Sequence, residues 1–205
     1  MKIGIIGAGF VGRAIAKLAI QAGHQVMLSN SRGPQTLFSL RPMIGCEIGT
    51  ATEAAMYGDI VVIAVPLTAI GQMLVADLAG KPVIDAVNYY PERDGQVAEL
   101  DNQTTTTSEY LASFLPQSKI TKAFNAIQMT SLESDGDPKR CALPLADDDL
   151  ETKNTVHRLY DAFGFDAVDA CSLSEGWRFQ RGMSSYCVRM TESELKAALA
   201  EAKRF

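Results

Sequence analysis

The residues best suited to chemistry by type and spacing are three glycines near the start of the chain. Gly7, Gly9 and Gly12 come directly after the apolar run Lys2–Ile6 and precede residues with helical apolar spacing. A first glycine permits a tight turn, a second lets a pyrophosphate approach the backbone, and a third lets the helix pack against the strand. The order of strand, turn and helix therefore predicts a dinucleotide site, with the phosphates at the helix N-terminus. The predicted contact residues are Gly7, Ala8, Gly9, Phe10, Val11 and Gly12.

The polar residues that follow the next predicted strand indicate which dinucleotide is bound. An NAD site usually has a carboxylate about 20 residues after the glycine turn, where it accepts hydrogen bonds from the ribose 2′-OH. This chain has no Asp or Glu before Cys46, and it has Asn30, Ser31 and Arg32 at this point. Arg32 can form charge-assisted hydrogen bonds with a 2′-phosphate. We therefore predict NADP(H), although the same residues also suit an ordinary polar turn before a helix.

Composition excludes several classes of partner. The chain has 205 residues, of which 47% are hydrophobic and 21% are charged, and its net charge is −5. No basic run suggests nucleic acid as a partner. The longest apolar stretch, residues 60–66, is too short to span a bilayer, and no signal peptide is evident. The four cysteines and two histidines show no metal-ligand spacing. We expect a cytoplasmic protein without a metal and without a membrane or nucleic-acid partner.

Alternating strand and helix signals predict the fold. Residues 59–66 form a continuous β-branched run, which is typical of a parallel strand buried on both faces. We predict a helix over residues 67–78 and a long surface loop with a short helical turn over residues 88–107. The fold class is α/β, a Rossmann-like doubly wound and mostly parallel sheet with a small C-terminal α/β extension. We expect one NADP-binding domain over residues 1–205, with a dinucleotide-binding core at 1–130 and the extension at 131–205.

Further candidate binding residues follow the predicted strands, where a doubly wound sheet binds its ligands. Val65 and Pro66 are expected to form a wall beside a ribose or the nicotinamide, and Ala123 lies at the end of a later strand. Asn88 and Asn125 are candidates for hydrogen bonds to the carboxamide or to the second substrate. The alternatives are that Pro66 only ends a strand and that the two amides only cap loops.

Two residues are weak candidates for acid–base catalysis, because transfer of hydride between two carriers often needs no proton donor. Lys122 could donate a proton, or it could be a charge at an exposed edge. Asp85 could be an acid with a raised pKa, or it could make a structural hydrogen bond. Tyr89 is placed to stack on a flat substrate.

Five segments together resemble a known family, the NADP-dependent oxidoreductases typified by the F420-dependent NADP reductases. The reductase domain of the STEAP metalloreductases is similar to the same family. The segments are GAGFVG at 7–12, SNSR at 29–32, AVP at 64–66, KAFNAI at 122–127, and GWRFQ at 176–180 with Gly182 and Tyr186. The resemblance covers essentially the whole chain and implies that NADP(H) lies across the carboxyl ends of the strands.

The resemblance also implies an activity and partners. It implies transfer of hydride between nicotinamide and a flat small-molecule acceptor, the deazaflavin F420 or a flavin, as co-substrate. One alternative is NADPH-dependent reduction of a small carbonyl or imine, with Lys122 or Asp85 as proton donor. Another is a non-catalytic NADP(H)-sensing protein. We further expect a homodimer, on the hypothesis that the C-terminal strands and helix pack against a second subunit to close the site.

Overall fold

The computed structural model describes residues 1–72, 75–132 and 140–204. Short strands form the centre of the protein. The apolar and β-branched runs of the sequence lie within these strands. The strands are β1 Lys2–Ile6, β2 Gln25–Ser29, β3 Glu47–Gly49, β4 Ile60–Ile63, β5 Pro82–Asp85, β6 Lys119–Lys122, β7 Ala142–Asp147 and β8 Asp166–Asp169.

Helices connect the strands and cover both faces of the sheet. The helices of seven or more residues are α1 Phe10–Gln21, α2 Ala51–Tyr57, α5 Thr107–Phe114, α7 Leu150–Ala162 and α8 Glu192–Glu201. The four-residue helices are α3 Pro91–Asp94, α4 Ala98–Asp101 and α6 Met129–Leu132. Four 3-10 turns cover Pro34–Leu37, Leu67–Gln72, Val75–Leu78 and Leu173–Phe179, and a π-helical turn covers Arg41–Gly45.

The eight strands form one sheet in the order β3-β2-β1-β4-β5-β6-β7-β8. Neighbouring strands are parallel except β6 and β7, which are antiparallel. The strand order reverses at β1, which pairs with β2 on one side and β4 on the other. A doubly wound sheet binds ligands at this reversal point. The predicted fold class, a Rossmann-like and mostly parallel sheet, is confirmed.

The middle of the sheet is buried on both faces, as the β-branched run of β4 predicts. Ile60 and Val62 belong to the core on the α1 side, whereas Val61 and Ile63 belong to the core on the opposite side. This alternation follows from the two-residue period of a strand. All four side chains are at most 1% exposed. The two cores fix the carboxyl ends of the central strands, where the candidate site lies.

Two predicted segments differ from the structure. The helix expected over residues 67–78 is instead two 3-10 turns, and residues 73 and 74 lie outside the described part. Gly71 in this segment lowers the helix propensity. The loop over residues 88–107, expected to hold one short helical turn, contains two, α3 and α4. Pro91 occupies the first position of α3, where a proline costs no hydrogen bond, and Gly95 ends it at a φ of 78°.

The C-terminal part continues the same sheet. β7 pairs with β6 in the antiparallel direction, α7 follows, and β8 then pairs with β7 in the parallel direction. Leu195 and Leu199 of α8 pack with Val168 of β8 in a third apolar cluster. The C-terminal helix thus packs on strands of its own chain.

Candidate functional site

A cavity of about 550 Å³ opens at the carboxyl ends of β1, β2 and β4. This volume lies within the range of about 300–1,000 Å³ that is typical of small-molecule sites. The cavity brings together the glycine turn, the polar segment after β2 and the residues after β4. Its lining residues are Ile6, Gly7, Ala8, Gly9, Arg13, Asn30, Ser31, Arg32, Ala51, Thr52, Ala55, Ala64, Val65, Pro66, Ala69, Asp77 and Leu78.

The glycine turn is built as its sequence predicts. Gly7 has a φ of 115°, and a Cβ on it would lie 2.2 Å from the carbonyl oxygen of Ala64. A Cβ on Gly12 would lie 1.9 Å from the carbonyl oxygen of Gly7, so α1 lies directly against the turn. A Cβ on Gly9 would meet no atom within 4 Å. The open side at Gly9 leaves room for a ligand to reach the backbone.

The N-terminus of α1 has the features of an anion site. Gly9 is its N-cap and makes no side-chain capping bond, and the first turn contains no acidic residue. The first N–H groups of α1 and the positive end of its dipole therefore remain available to phosphate oxygens. Phe10 is 72% exposed at the start of this helix, and Val11 after it is half-buried.

The segment after β2 combines turn chemistry with a free guanidinium. The Asn30 side chain stabilises the turn, because its Oδ1 accepts a hydrogen bond from the Arg32 N–H at 3.0 Å and its Nδ2 donates to Thr36 Oγ1 at 2.8 Å. Ser31 and Arg32 are exposed and line the cavity. No carboxylate of the described ranges pairs with the Arg32 guanidinium. The arrangement suits a phosphate better than a ribose 2′-OH.

Three polar residues of the cavity were not predicted from the sequence. Arg13 folds back so that its Nε donates to the Ala8 carbonyl oxygen at 2.7 Å, and Thr52 belongs to the first turn of α2. Asp77 has a buried Oδ2 without a hydrogen-bond partner among the described residues. A basic residue directly after the third glycine could have signalled Arg13. No local pattern signals Thr52 or Asp77, because the chain brings them to the cavity from distant crossovers.

Val65 and Pro66 line the cavity, but the later candidates do not. Asn88 donates from Nδ2 to the Asn125 carbonyl oxygen at 3.0 Å, and Asn125 donates from Nδ2 to Asn88 Oδ1 at 3.3 Å. Asn125 also donates to the Phe179 carbonyl oxygen at 3.1 Å, while Ala123 is fully buried. The two amides therefore link the loops after β5 and β6 to the C-terminal segment. Asn125 Oδ1 is buried and has no partner in the part of the chain described.

The chain turns sharply after β6. Phe124 has a φ of 61°, a left-handed conformation that is uncommon for a residue with a side chain. Its N–H donates to the Tyr160 hydroxyl at 2.9 Å, and that hydroxyl donates to the Pro144 carbonyl oxygen at 3.0 Å. The two rings also meet edge to face at 4.6 Å. These contacts fix the backbone that presents Asn125.

Lys122 and Asp85 lie side by side in the core and do not line the cavity. Both side chains are fully buried, and Lys122 Nζ is 3.9 Å from Asp85 Oδ2. Asp85 Oδ1 accepts from the Val87 N–H at 2.8 Å, and Oδ2 accepts from the Ser108 hydroxyl. Gly176 covers the lysine so closely that a Cβ there would lie 2.8 Å from Lys122 Cδ. Lys122 Nζ has no hydrogen-bond partner within the described ranges.

Burial gives Lys122 a measurable pH signature. Burial lowers the pKa of the Lys122 amine below its ordinary value of 10.5, although the carboxylate of Asp85 opposes this shift. Between the folded and the unfolded pKa, the unfolded chain binds more protons, so the lysine adds stability as pH rises towards 10.5. We compare the free energy of unfolding of the parent with that of Lys122→Met. The parent value minus the variant value should increase with pH, by at most about 1.4 kcal/mol per pH unit. Urea unfolding between pH 7 and 10 measures this difference.

Lys119→Met on the same strand is the matched control. Lys119 Nζ lies 3.0 Å from Asp149 Oδ2, and this contact raises the pKa of Lys119. A raised pKa gives the opposite sign, but only as pH rises above 10.5, so the stability difference for Lys119→Met should stay nearly flat between pH 7 and 10. A flat or falling difference for Lys122→Met would contradict the placement of a destabilised ammonium at this position.

Tyr89, the tyrosine predicted to stack on a flat substrate, makes hydrogen bonds within its own loop. The Tyr89 hydroxyl donates to Asp101 Oδ1 at 2.7 Å and accepts from the Val97 N–H at 3.0 Å, which holds the ring in the loop after β5. Tyr90 instead contacts the C-terminal segment through a hydrogen bond between its hydroxyl and that of Tyr186. The Arg181 guanidinium lies 5.1 Å from the centre of the Tyr90 ring.

The residues described contain no group of three or more His, Cys, Asp or Glu side chains that could hold a metal ion. Among the helices described, none has the length and apolar character that a membrane crossing requires.

Comparison with known proteins identifies the N-terminal part of the chain. Residues 2–89 match the model of a family described as NADP oxidoreductase, coenzyme F420-dependent. Every residue that lines the cavity falls within this range. The match therefore covers the whole cavity found in the structure.

The curated relatives align with most of the chain at low sequence identity. Metalloreductase STEAP3 of Rattus norvegicus is 29% identical over 175 residues, which are 84% of this chain and 34% of the relative. Metalloreductase STEAP2 of Homo sapiens is 24% identical over 181 residues, with 85% and 34% covered. The chain thus spans about a third of the length of these curated relatives.

Solved structures share the fold over most of their length. A hypothetical protein from Sinorhizobium meliloti has a TM-score of 0.83 and 26% identity, with 93% of this chain and 95% of that chain covered. A candidate F420-dependent NADP reductase from Arthrobacter sp. FB24 has a TM-score of 0.72 and 24% identity, with 84% and 85% covered. The second likeness shows the fold alone.

The fold and the cavity, together with these matches, are similar to those of NADP-dependent oxidoreductases. Residues 2–89 are the part of the chain that is similar to the coenzyme F420-dependent NADP oxidoreductase family. The family resemblance drawn from the sequence motifs is confirmed.

Proposed function

We propose that the chain transfers hydride between NADP(H) and a flat flavin-like or deazaflavin acceptor such as F420. The observation that carries this proposal is a cavity that joins the glycine turn to the exposed guanidinium of Arg32, which pairs with no carboxylate of the described residues. The family description and the absence of a carboxylate before Cys46 support the same cofactor. The nature of the acceptor rests on the family resemblance.

The residues of the cavity fit NADP(H) in three places. The open backbone at Gly9 and the N-terminus of α1 suit the pyrophosphate, and Ser31 with Arg32 suits the 2′-phosphate. Val65 and Pro66 form an apolar wall for a ribose. When bound, the nicotinamide supplies or accepts the hydride. The protein's own part is to hold the two rings face to face and to exclude water.

The amide pair after β5 and β6 is proposed to bind the nicotinamide carboxamide or the acceptor. Asn125 Oδ1 is a buried acceptor without a partner among the residues that the structure describes, so it can receive an N–H from a ligand. Lys122 and Asp85 stay the candidates for proton donation. Their full burial beneath Gly176 fits a reaction in which hydride moves between two carriers without a proton donor.

Measurement of NADPH oxidation tests the proposal. We expect the purified chain to oxidise NADPH when F420, FMN or riboflavin is added, and to leave NADPH unchanged with small aldehydes or cyclic imines. Oxidation with the carbonyl or imine compounds alone would favour the alternative reductase. Tight NADPH binding without turnover of any acceptor would favour an NADP(H)-sensing protein.

The homodimer and the cytoplasmic location stay predictions. Light scattering during size-exclusion chromatography would show a mass of twice 22.1 kDa for a dimer. Fractionation of the producing cells would test the location.

A further inference from the structure

Arg13 is a cation of the cavity to which the proposed function gives no role. It is the fourth residue of α1 and lines the cavity. Its backbone N–H donates to the Gly9 carbonyl oxygen at 3.0 Å, and its Nε donates to the Ala8 carbonyl oxygen at 2.7 Å. These two hydrogen bonds hold the backbone and the side chain of Arg13 against the glycine turn. The guanidinium therefore lies at the part of the cavity that suits a pyrophosphate.

The direction of the Arg13 side chain follows from helix geometry. Side chains of an α-helix point towards its N-terminus, so a long residue in the first turn of α1 reaches back to the turn before it. Gly9 lies four positions earlier on the same face, and a Cβ there would meet no atom within 4 Å. The face of α1 that carries Arg13 is therefore open at the glycine turn, where a ligand can lie.

Most of the hydrogen-bonding capacity of Arg13 is not used by the described residues. A guanidinium has five N–H donors in a planar fork. The Nε donor is used by Ala8, whereas Nη1 and Nη2 have no hydrogen-bond partner in the described part of the chain. No carboxylate of that part forms an ion pair with Arg13, so its charge is not neutralised there. A charged fork with free donors suits two hydrogen bonds to one phosphate group.

The pyrophosphate suits Arg13 better than the 2′-phosphate does. Arg32, which is proposed to bind the 2′-phosphate, follows β2, whereas Arg13 is bound to the turn that follows β1. The N-terminus of α1 supplies a partial positive charge equivalent to about half an elementary charge. A pyrophosphate linkage carries two negative charges, so the helix alone does not balance it. A full cation held at the same turn supplies much of the difference.

We propose that Arg13 binds the pyrophosphate of the dinucleotide through Nη1 and Nη2 while its Nε stays bound to the Ala8 carbonyl oxygen. Arg13 then contributes equally to the affinity for NADPH and for NADH, because both carry this group. Arg32, in contrast, distinguishes the two cofactors. This inference rests on the proposed function, since it needs a dinucleotide in the cavity.

Titration of Arg13→Met with NADPH and with NADH, followed by nicotinamide fluorescence without any acceptor, tests the inference. We expect both cofactors to bind about tenfold or more weakly than to the parent, by the same factor. The affinity for NADH should also depend less on salt concentration than in the parent, because a contact between two charges has been lost. Loss of a residue that only holds the turn would leave this salt dependence unchanged.

Lys17→Met is the matched control. Lys17 is an exposed cation one turn further along α1, and it is not part of the cavity lining. The control should keep the parent affinities and the parent salt dependence. Arg13→Lys is a second variant, because it keeps the charge and loses the planar fork. Both cofactors should bind to it more weakly by a common but smaller factor. Thermal unfolding of each variant shows whether it is folded.

Three results would overturn the inference and leave the proposed function intact. The first is parent-like affinity for both cofactors in the two Arg13 variants. The second is a loss confined to NADPH, which would place Arg13 at the 2′-phosphate. The third is an equal loss with unchanged salt dependence, which would limit Arg13 to holding the turn. Failure of the parent chain to bind either dinucleotide would overturn the proposed function together with the inference.

Discussion

Gly12→Ala is expected to lower both the stability of the protein and its affinity for NADPH, the latter by at least about a hundredfold. A Cβ at this position would lie 1.9 Å from the carbonyl oxygen of Gly7 and 3.4 Å from the Ile5 side chain. A backbone atom cannot rotate away as a side chain can, so α1 must move off the turn. Overpacking of this kind costs about 1–3 kcal/mol of stability. The N–H groups at the N-terminus of the displaced helix then no longer point at the phosphates.

Gly9→Ala separates these two effects within the same motif. Its Cβ would meet no protein atom within 4 Å, and its φ of −72° suits alanine. We expect the free energy of unfolding to stay within about 0.5 kcal/mol of the parent value. NADPH binding should still weaken, because the methyl group occupies the space through which the pyrophosphate approaches. Urea unfolding and fluorescence titration measure the two quantities. Parent-like binding by Gly12→Ala would contradict the role given to the turn.

Arg32→Ala is expected to weaken NADPH binding by about ten- to a hundredfold and to leave NADH binding unchanged. A hydrogen bond to a charged group contributes about 1.5–3 kcal/mol, and each 1.4 kcal/mol is a factor of ten in affinity. Only NADPH carries the 2′-phosphate that this guanidinium would contact. The preference for NADPH should also shrink at high salt, because Arg32 is exposed and its charge is screened.

Arg41→Ala is the control for this charge removal. Arg41 is exposed and lies nine positions after Arg32. Its guanidinium pairs with Glu47 at 2.9 Å, and the residue does not line the cavity. The Arg41→Ala variant should therefore keep the parent's preference for NADPH over NADH. Equal loss of NADPH and NADH affinity in Arg32→Ala would mean that Arg32 does not distinguish the two cofactors.

The parts of the site that the sequence predicts are those encoded by adjacent residues. The glycine turn and the segment Asn30–Arg32 each depend on a few neighbouring side chains, and both line the cavity. The buried strand β4 is also predicted by adjacent residues, because its β-branched run can be recognised without knowledge of the strands that pair with it. The fold class follows from these signals together with the alternation of helices.

The parts that the sequence does not predict depend on how distant segments meet. Thr52 and Asp77 reach the cavity only because α2 and the turn Val75–Leu78 pack together. Asn88 and Asn125 follow neighbouring strands as predicted, yet their hydrogen bonds to each other depend on side-chain geometry that no spacing specifies. The 3-10 form of residues 67–72 also differs from the helix that the apolar pattern predicts, because Gly71 lowers the helix propensity there.

The reversal of direction between β6 and β7 has a practical consequence for attaching the protein to a surface. Because β7 and β8 run against the first six strands, the segment after β8 emerges at the edge of the sheet opposite the cavity. Cys171 lies there and is exposed, whereas Cys187 is half-buried and Cys46 and Cys141 are buried. A maleimide tether on Cys171 would orient the cofactor opening away from an electrode and leave it free for exchange.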